Sequence, residues 1–114
     1  MPDDADEGSG VITLIGTITI KLEHEDEFVA LATATADMVR RHEPDTLLYL
    51  TYRHPTEAHT CAFVERYRNA DAWNTHIEAP YVRGAMSRLQ ECVVSPPDTL
   101  QLTQVVFDVQ RAME

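Results

Sequence analysis

The chain has 114 residues, 44% of them apolar and 25% charged, with a formal net charge of −10. That length makes one domain with a modest core, and the excess of acid argues against nucleic acid and anionic membranes as partners. No run of about 18 apolar residues exists to span a bilayer, and the acidic start MPDDADEGSG is the opposite of a secretion signal, so a cytoplasmic protein is expected.

Residues 1–10 hold four acids (Asp3, Asp4, Asp6, Glu7) and a Gly/Ser tip, and read as a disordered tail. VITLIGTITIKL then alternates as a strand, with Ile12, Leu14, Ile18 and Ile20 against Thr13, Thr17 and Thr19. Gly16 interrupts the apolar face, which predicts a bulge or a close approach by another group. EHEDEFVALATATADMVRRH is a helix, acidic at its start and basic at its end, with Phe28, Leu31, Thr35 and Met38 in one stripe. Pro44 stops it.

A second strand, DTLLYLTYRH, sets Leu48, Leu50 and Tyr52 against Tyr49, Thr51 and Arg53. The turn PTEA leads to a third strand, HTCAFVERY, and the two form a hairpin. Asn69 is placed to cap a short helix that carries Trp73, His76 and Ile77. Pro80 opens another helix, with Val82, Ala85, Met86 and Leu89 as its apolar stripe. VSPPD breaks it, and TLQLTQVVFDV is the last strand, with Leu100, Leu102 and Val106 on one face. Residues 110–114 are a short tail.

The order β-α-β-β-α-β predicts an α+β, ferredoxin-like fold over 11–109: an antiparallel four-stranded sheet with its helices on one face. The other face is left bare. It is expected to carry thiols, aromatics, Thr and apolar residues such as Val105 and Phe107, and to be covered by a second copy in a homodimer. Cys61 and Cys92 fit no CxxC pattern and are expected as free, buried thiols.

Three stretches in order carry a family resemblance: EPDTLLY (43–49), FVERY (63–67) and AWNTHIEAPYV (72–82). The chain resembles the antibiotic biosynthesis monooxygenase superfamily of dimeric α+β barrels over roughly residues 11 to 106. Two positions depart from the family pattern, Asp45 for a glycine and Ala79 for a serine. The resemblance implies oxidation of an aromatic, quinol-like or polyketide-like substrate by molecular oxygen, with no metal or flavin. Other members degrade haem, isomerise small molecules or have no known activity. The haem-degrading pattern has an asparagine on the first strand, where this chain has LIGTITI, so haem degradation is the weaker expectation.

Cofactor-free oxygenation needs a base to make an electron-rich anion, donors to stabilise it and a dry aromatic-walled cavity. The expected catalytic residues are His76, Trp73 and Tyr49, with His76 or a tyrosine as base. Tyr52, Tyr67, Arg66, Arg53 and Met86 are expected to bind substrate, an arginine stabilising the anion. The same residues have a plainer reading: Trp73 and His76 as a packed short helix, and Glu65 as an ion-pair partner of Arg53 or Arg66. His54, Glu57 and His59 sit close enough in sequence to hold a metal, yet surface turns often carry such residues, and no metal or cofactor is expected. The alternatives to an oxygenase are a non-catalytic ligand-binding or accessory dimer, and an isomerase or cyclase using the same pocket.

Overall fold

A computed structural model of the chain describes residues 10–105. The expected acidic tail up to residue 9, the end of the last strand with Val106 and Phe107, and the tail 110–114 lie outside the described residues. The elements run β1 (Ile12–Thr19), a single 3-10 turn (Leu22–His24), α1 (Glu25–His42), β2 (Thr46–Arg53), β3 (Thr60–Tyr67), α2 (Ala70–Glu78), α3 (Pro80–Cys92) and β4 (Asp98–Leu102). The strands form one sheet in the order β2-β3-β1-β4, and every neighbouring pair is antiparallel. This is the ferredoxin-like α+β arrangement, with its second helical segment split in two. Among the described residues no helix is long and apolar enough to cross a membrane.

Local chemistry sets the helix ends. Asn69 caps α2 by accepting the Ala72 N–H at 2.9 Å. Pro80 occupies the first turn of α3, where its missing N–H costs nothing. In α1 the buried Thr35 returns its hydroxyl to the Leu31 carbonyl at 2.8 Å, so the apolar stripe carries no unsatisfied polar group.

The registers resolve which residues share a face. Glu65 lies opposite Leu14 on one side and Tyr49 on the other. Period two then puts Leu14, Gly16, Ile18, Tyr49, Thr51, Phe63 and Glu65 on the helix-covered face. Ile18, Ile20, Phe28, Cys61 and Val93 form one core cluster there; Ile12, Leu14, Tyr67 and Ala72 form a second, with Trp73 packed on it. Both thiols are free and buried. Cys61 belongs to the helix-side core and Cys92 to α3, so the bare face carries no thiol, contrary to expectation. It presents Ile15, Leu50, Tyr52, Leu100 and Leu102, all substantially exposed.

Gly16 answers to a close approach. A Cβ there would lie 2.3 Å from the Asp98 carbonyl oxygen and 2.6 Å from Phe63 Cζ. The aromatic ring of Phe63, its cross-strand partner, occupies the space a side chain would need. The backbone contact cannot swing aside. Gly16→Ala is therefore expected to lower stability by about 1–3 kcal/mol, read as a fall in the urea midpoint; an unchanged midpoint would contradict this packing.

Candidate active site

Helix α1 ends at Glu43, whose N–H closes on the Val39 carbonyl at 2.9 Å. Its side chain turns inward and is nearly buried. Three donors meet it there. Thr46 Oγ1 donates at 2.6 Å and Tyr81 Oη at 2.5 Å, while His76 Nδ1 lies 2.9 and 3.0 Å from the two carboxylate oxygens. The His76 and Glu43 side chains are only 7% and 4% exposed, so the pair is sealed from bulk water.

The carboxylate decides the imidazole tautomer. Nδ1 faces an acceptor and holds the ring proton, which leaves the Nε2 lone pair free. A base aimed by a carboxylate behind it is the arrangement that acid–base and nucleophilic sites share. Tyr49 and Tyr67 flank the ring, each with its centroid 5.3 Å from that of His76. Tyr67 also stacks on Trp73 at 6.4 Å.

His76 borders a cavity of about 290 Å³ between the sheet and the helices, at the small end of the range for small-molecule sites. Its walls are mostly apolar, with Leu14, Phe63, Leu31, Val82 and Leu89 among them, and Trp73 and Met86 contribute as well. Tyr49, Glu65 and His76 are the main polar groups that reach it. Burial pushes the Tyr49 phenol well above its ordinary range, and the negative charges of Glu65 and Glu43 push it further. Tyr49 is thus held protonated and works as a donor. Tyr67 is raised for the same reasons, burial first. It is fully buried and donates to Glu65 Oε1 at 2.5 Å.

The structure gathers four of the expected residues, His76, Trp73, Tyr49 and Met86, around this cavity. Tyr67 lies behind the wall, wedged against Trp73 and His76. Three other expected residues lie away from the cavity. Tyr52 is three residues from Tyr49, an odd step on a strand, so it points to the bare face and is 54% exposed. Arg66 follows the same rule and donates to Thr13 Oγ1 at 3.2 Å. Arg53 shares the face of Tyr49 but sits roughly 13 Å further along the strand, where Glu25 takes it in an ion pair. No arginine lines the cavity among the described residues. Glu65 pairs with neither arginine and accepts the Tyr67 hydroxyl instead.

Two acids of the site were not among the expected site residues, Glu43 being unremarked and Glu65 read as an ion-pair partner, and both had a signal. Glu43 closes a helix whose last residues are Arg40, Arg41 and His42, an end where a negative charge opposes the macrodipole. Glu65 interrupts the apolar face Cys61, Phe63, Tyr67 of a central strand. In the turn after β2, His54 Nδ1 accepts the N–H groups of Thr56 and Glu57 at 3.2 and 3.0 Å, and His59 faces Glu25 at 3.5 Å, so these histidines do not converge with Glu57. The ligand-type cluster found among the described residues is His24, Glu27 and Cys92, where Glu27 is already engaged by His24 and Arg88.

The network makes a pH prediction. Burial and the hydrogen bond to Glu43 raise the Tyr81 phenol to about 12. A group whose folded pKa is raised stabilises the fold fully below its unfolded pKa and loses that contribution as pH climbs through the folded one. The urea midpoint is expected to fall between pH 10 and 12, and to fall less in Tyr81→Phe. Equal falls in the two proteins would contradict the Tyr81–Glu43 bond.

Comparison with known proteins places this architecture. A family model for antibiotic biosynthesis monooxygenases matches residues 11–88. A Caulobacter crescentus CB15 protein assigned to the antibiotic biosynthesis monooxygenases superposes with a TM-score of 0.81 at 23% identity, over 93% of this chain and 100% of that one. Rv0793 from Mycobacterium tuberculosis superposes with a TM-score of 0.76 at 19% identity, over 84% and 96%. At these identities the superpositions speak for the fold alone. The uncharacterized protein sll1783 of Synechocystis is 26% identical over 98 residues, 86% of this chain, and the match spans 66% of its own length. The family match covers most of the chain and takes in all the cavity residues named above except Leu89: this protein belongs to the antibiotic biosynthesis monooxygenase family.

Proposed function

We propose that the protein is a cofactor-independent monooxygenase that oxidises a phenolic, quinol-like or polyketide-like aromatic substrate with molecular oxygen. One observation carries the reading: a sealed Glu43–His76 pair on the wall of an apolar cavity, with Nδ1 held by Glu43, Nε2 without a protein partner among the described residues, and the Tyr49 donor beside it. The apolar walls hold a flat ring and keep water out.

The chemistry balances without a further reductant. Nε2 of His76 takes a proton from an acidic O–H or C–H, such as a methylene between aryl rings. The delocalised anion passes one electron to oxygen, and the substrate radical and superoxide join in a new C–O bond. The peroxide takes the proton back from the imidazolium. Loss of the second C–H proton with cleavage of O–O leaves a carbonyl and water, so CH₂ and O₂ become C=O and H₂O, with four electrons leaving the substrate. The anion meets two donors on the way, the Tyr49 hydroxyl and the imidazolium that Glu43 stabilises. The tyrosines are donors in this scheme and His76 alone is the base.

His76→Ala is expected to reduce enzyme-dependent oxygen uptake by about 10²–10⁴-fold, and Tyr49→Phe by about tenfold, measured with anthrones, hydroquinones and flavonols in the presence of a chelator. Full uptake in a folded His76→Ala protein would refute the base. Product formed without oxygen would instead favour an isomerase or cyclase, since a base and a donor also suffice to relocate a proton.

A second copy is proposed to cover the bare sheet face. Ile15, Leu50, Tyr52, Leu100 and Leu102, joined through Ala62 and Val64 of β3, make a contiguous apolar surface across the sheet, the kind of patch that monomers seldom leave open. The wild-type protein is expected to run at the dimer mass in light scattering, and Leu50→Lys to shift it toward monomer. A monomeric wild type at micromolar concentration would contradict this.

A further inference from the structure

The charges around the cavity say what it admits. Among the described residues no lysine or arginine lines it, whereas Glu65 does. Glu65 stands at the middle of the sheet, between Leu14 and Tyr49. One of its oxygens, Oε1, takes the Tyr67 hydroxyl. The other, Oε2, has no protein donor among the described residues. Oε2 is not closed off from solvent, so water serves it until a donor on a bound molecule takes that place. Of its two nearest tyrosines, Tyr67 is already used and Tyr49 is needed at the reacting anion. Behind His76 stands a second acid, Glu43. An anionic group brought into this space would meet the field of two carboxylates with no cation to offset it.

We infer that Glu65 is the specificity-determining residue of this cavity, and that the substrate is neutral or cationic, docks an O–H or N–H donor on Glu65 Oε2 and carries no carboxylate or phosphate. This deepens the proposed function by naming the polar handle of its aromatic substrate, and it rests on the cavity being the substrate site. It also gives the site two kinds of polar contact side by side, since Glu65 is the cross-strand neighbour of Tyr49. His76 and Tyr49 meet the reacting atoms, while Glu65 fixes the ring orientation through a hydroxyl or amine.

Three matched two-ring probes separate these claims, read by calorimetry and by protein NMR at pH 7: 2-naphthol with a donor, 2-methylnaphthalene without one, and 2-naphthoate with a negative charge. The wild-type protein is expected to bind 2-naphthol about tenfold or more tighter than 2-methylnaphthalene, as a hydrogen bond to a charged group allows, and to bind 2-naphthoate weakest. In Glu65→Gln the naphthol advantage should shrink about tenfold while 2-methylnaphthalene is unchanged and 2-naphthoate gains. Glu65→Asp, which keeps the charge, should keep the wild-type order and guards against a Gln variant that does not fold. Equal affinities, a preference for 2-naphthoate, an order untouched by Glu65→Gln, or no binding of any probe would overturn the inference. Binding is read without turnover, so the two ideas fail separately. Selectivity with no oxygen uptake would sink the oxygenase and keep Glu65, and uptake without selectivity would do the reverse.

Discussion

The buried carboxylate of Glu43 is the constraint on which the rest of the site depends. A charge this far from water persists only if donors surround it. Here those donors come from the start of β2 (Thr46), from α2 (His76) and from α3 (Tyr81). One side chain at the end of α1 thereby ties together three other elements. The placement of His76 over the sheet follows from that tie as much as from the apolar packing of Trp73 and Ala72. The same contacts set the tautomer, so the requirement that stabilises the fold also orients the base.

The cavity is acidic in character, and that shapes its chemistry. Buried, and with Glu65 and Glu43 close by, the Tyr49 and Tyr67 phenols stay protonated and cannot act as bases. In the proposed reaction a substrate anion would find no arginine among the described residues of the lining. Its counter-charge would be the imidazolium created by its own proton, held by Glu43 at hydrogen-bond distance, 2.9 Å. An ion pair that forms only as the proton moves is worth most in the transition state, which is where stabilisation accelerates a reaction. Dry apolar walls strengthen it further.

Much of this was legible in the sequence. Strict alternation from Ile12 to Ile20 marked β1 and its buried face. The Asn69 cap and Pro80 marked the start of each short helix, and Gly16 marked a close approach that turned out to be Phe63 and the Asp98 carbonyl. The alternation also held the answer for Tyr52, since Tyr49 and Tyr52 fall on opposite faces of any regular strand. What one sequence could not supply was register. Without it Glu65 had no neighbours, and ion pairs with Arg53 or Arg66 looked as good as the Tyr67 bond. Glu43 was hidden for a related reason: its three partners lie 3, 33 and 38 residues away. Only the last two define the site, and no local pattern points to contacts so distant.

The most direct test of the account is the protonation of the His76 ring itself, read by long-range proton–nitrogen NMR on ring-labelled protein at neutral pH. A protonated Nδ1, its proton shifted downfield by Glu43, and a bare Nε2 are expected. A proton on Nε2, or a ring that averages between both forms, would contradict the claim that Glu43 presents His76 to the cavity as a base.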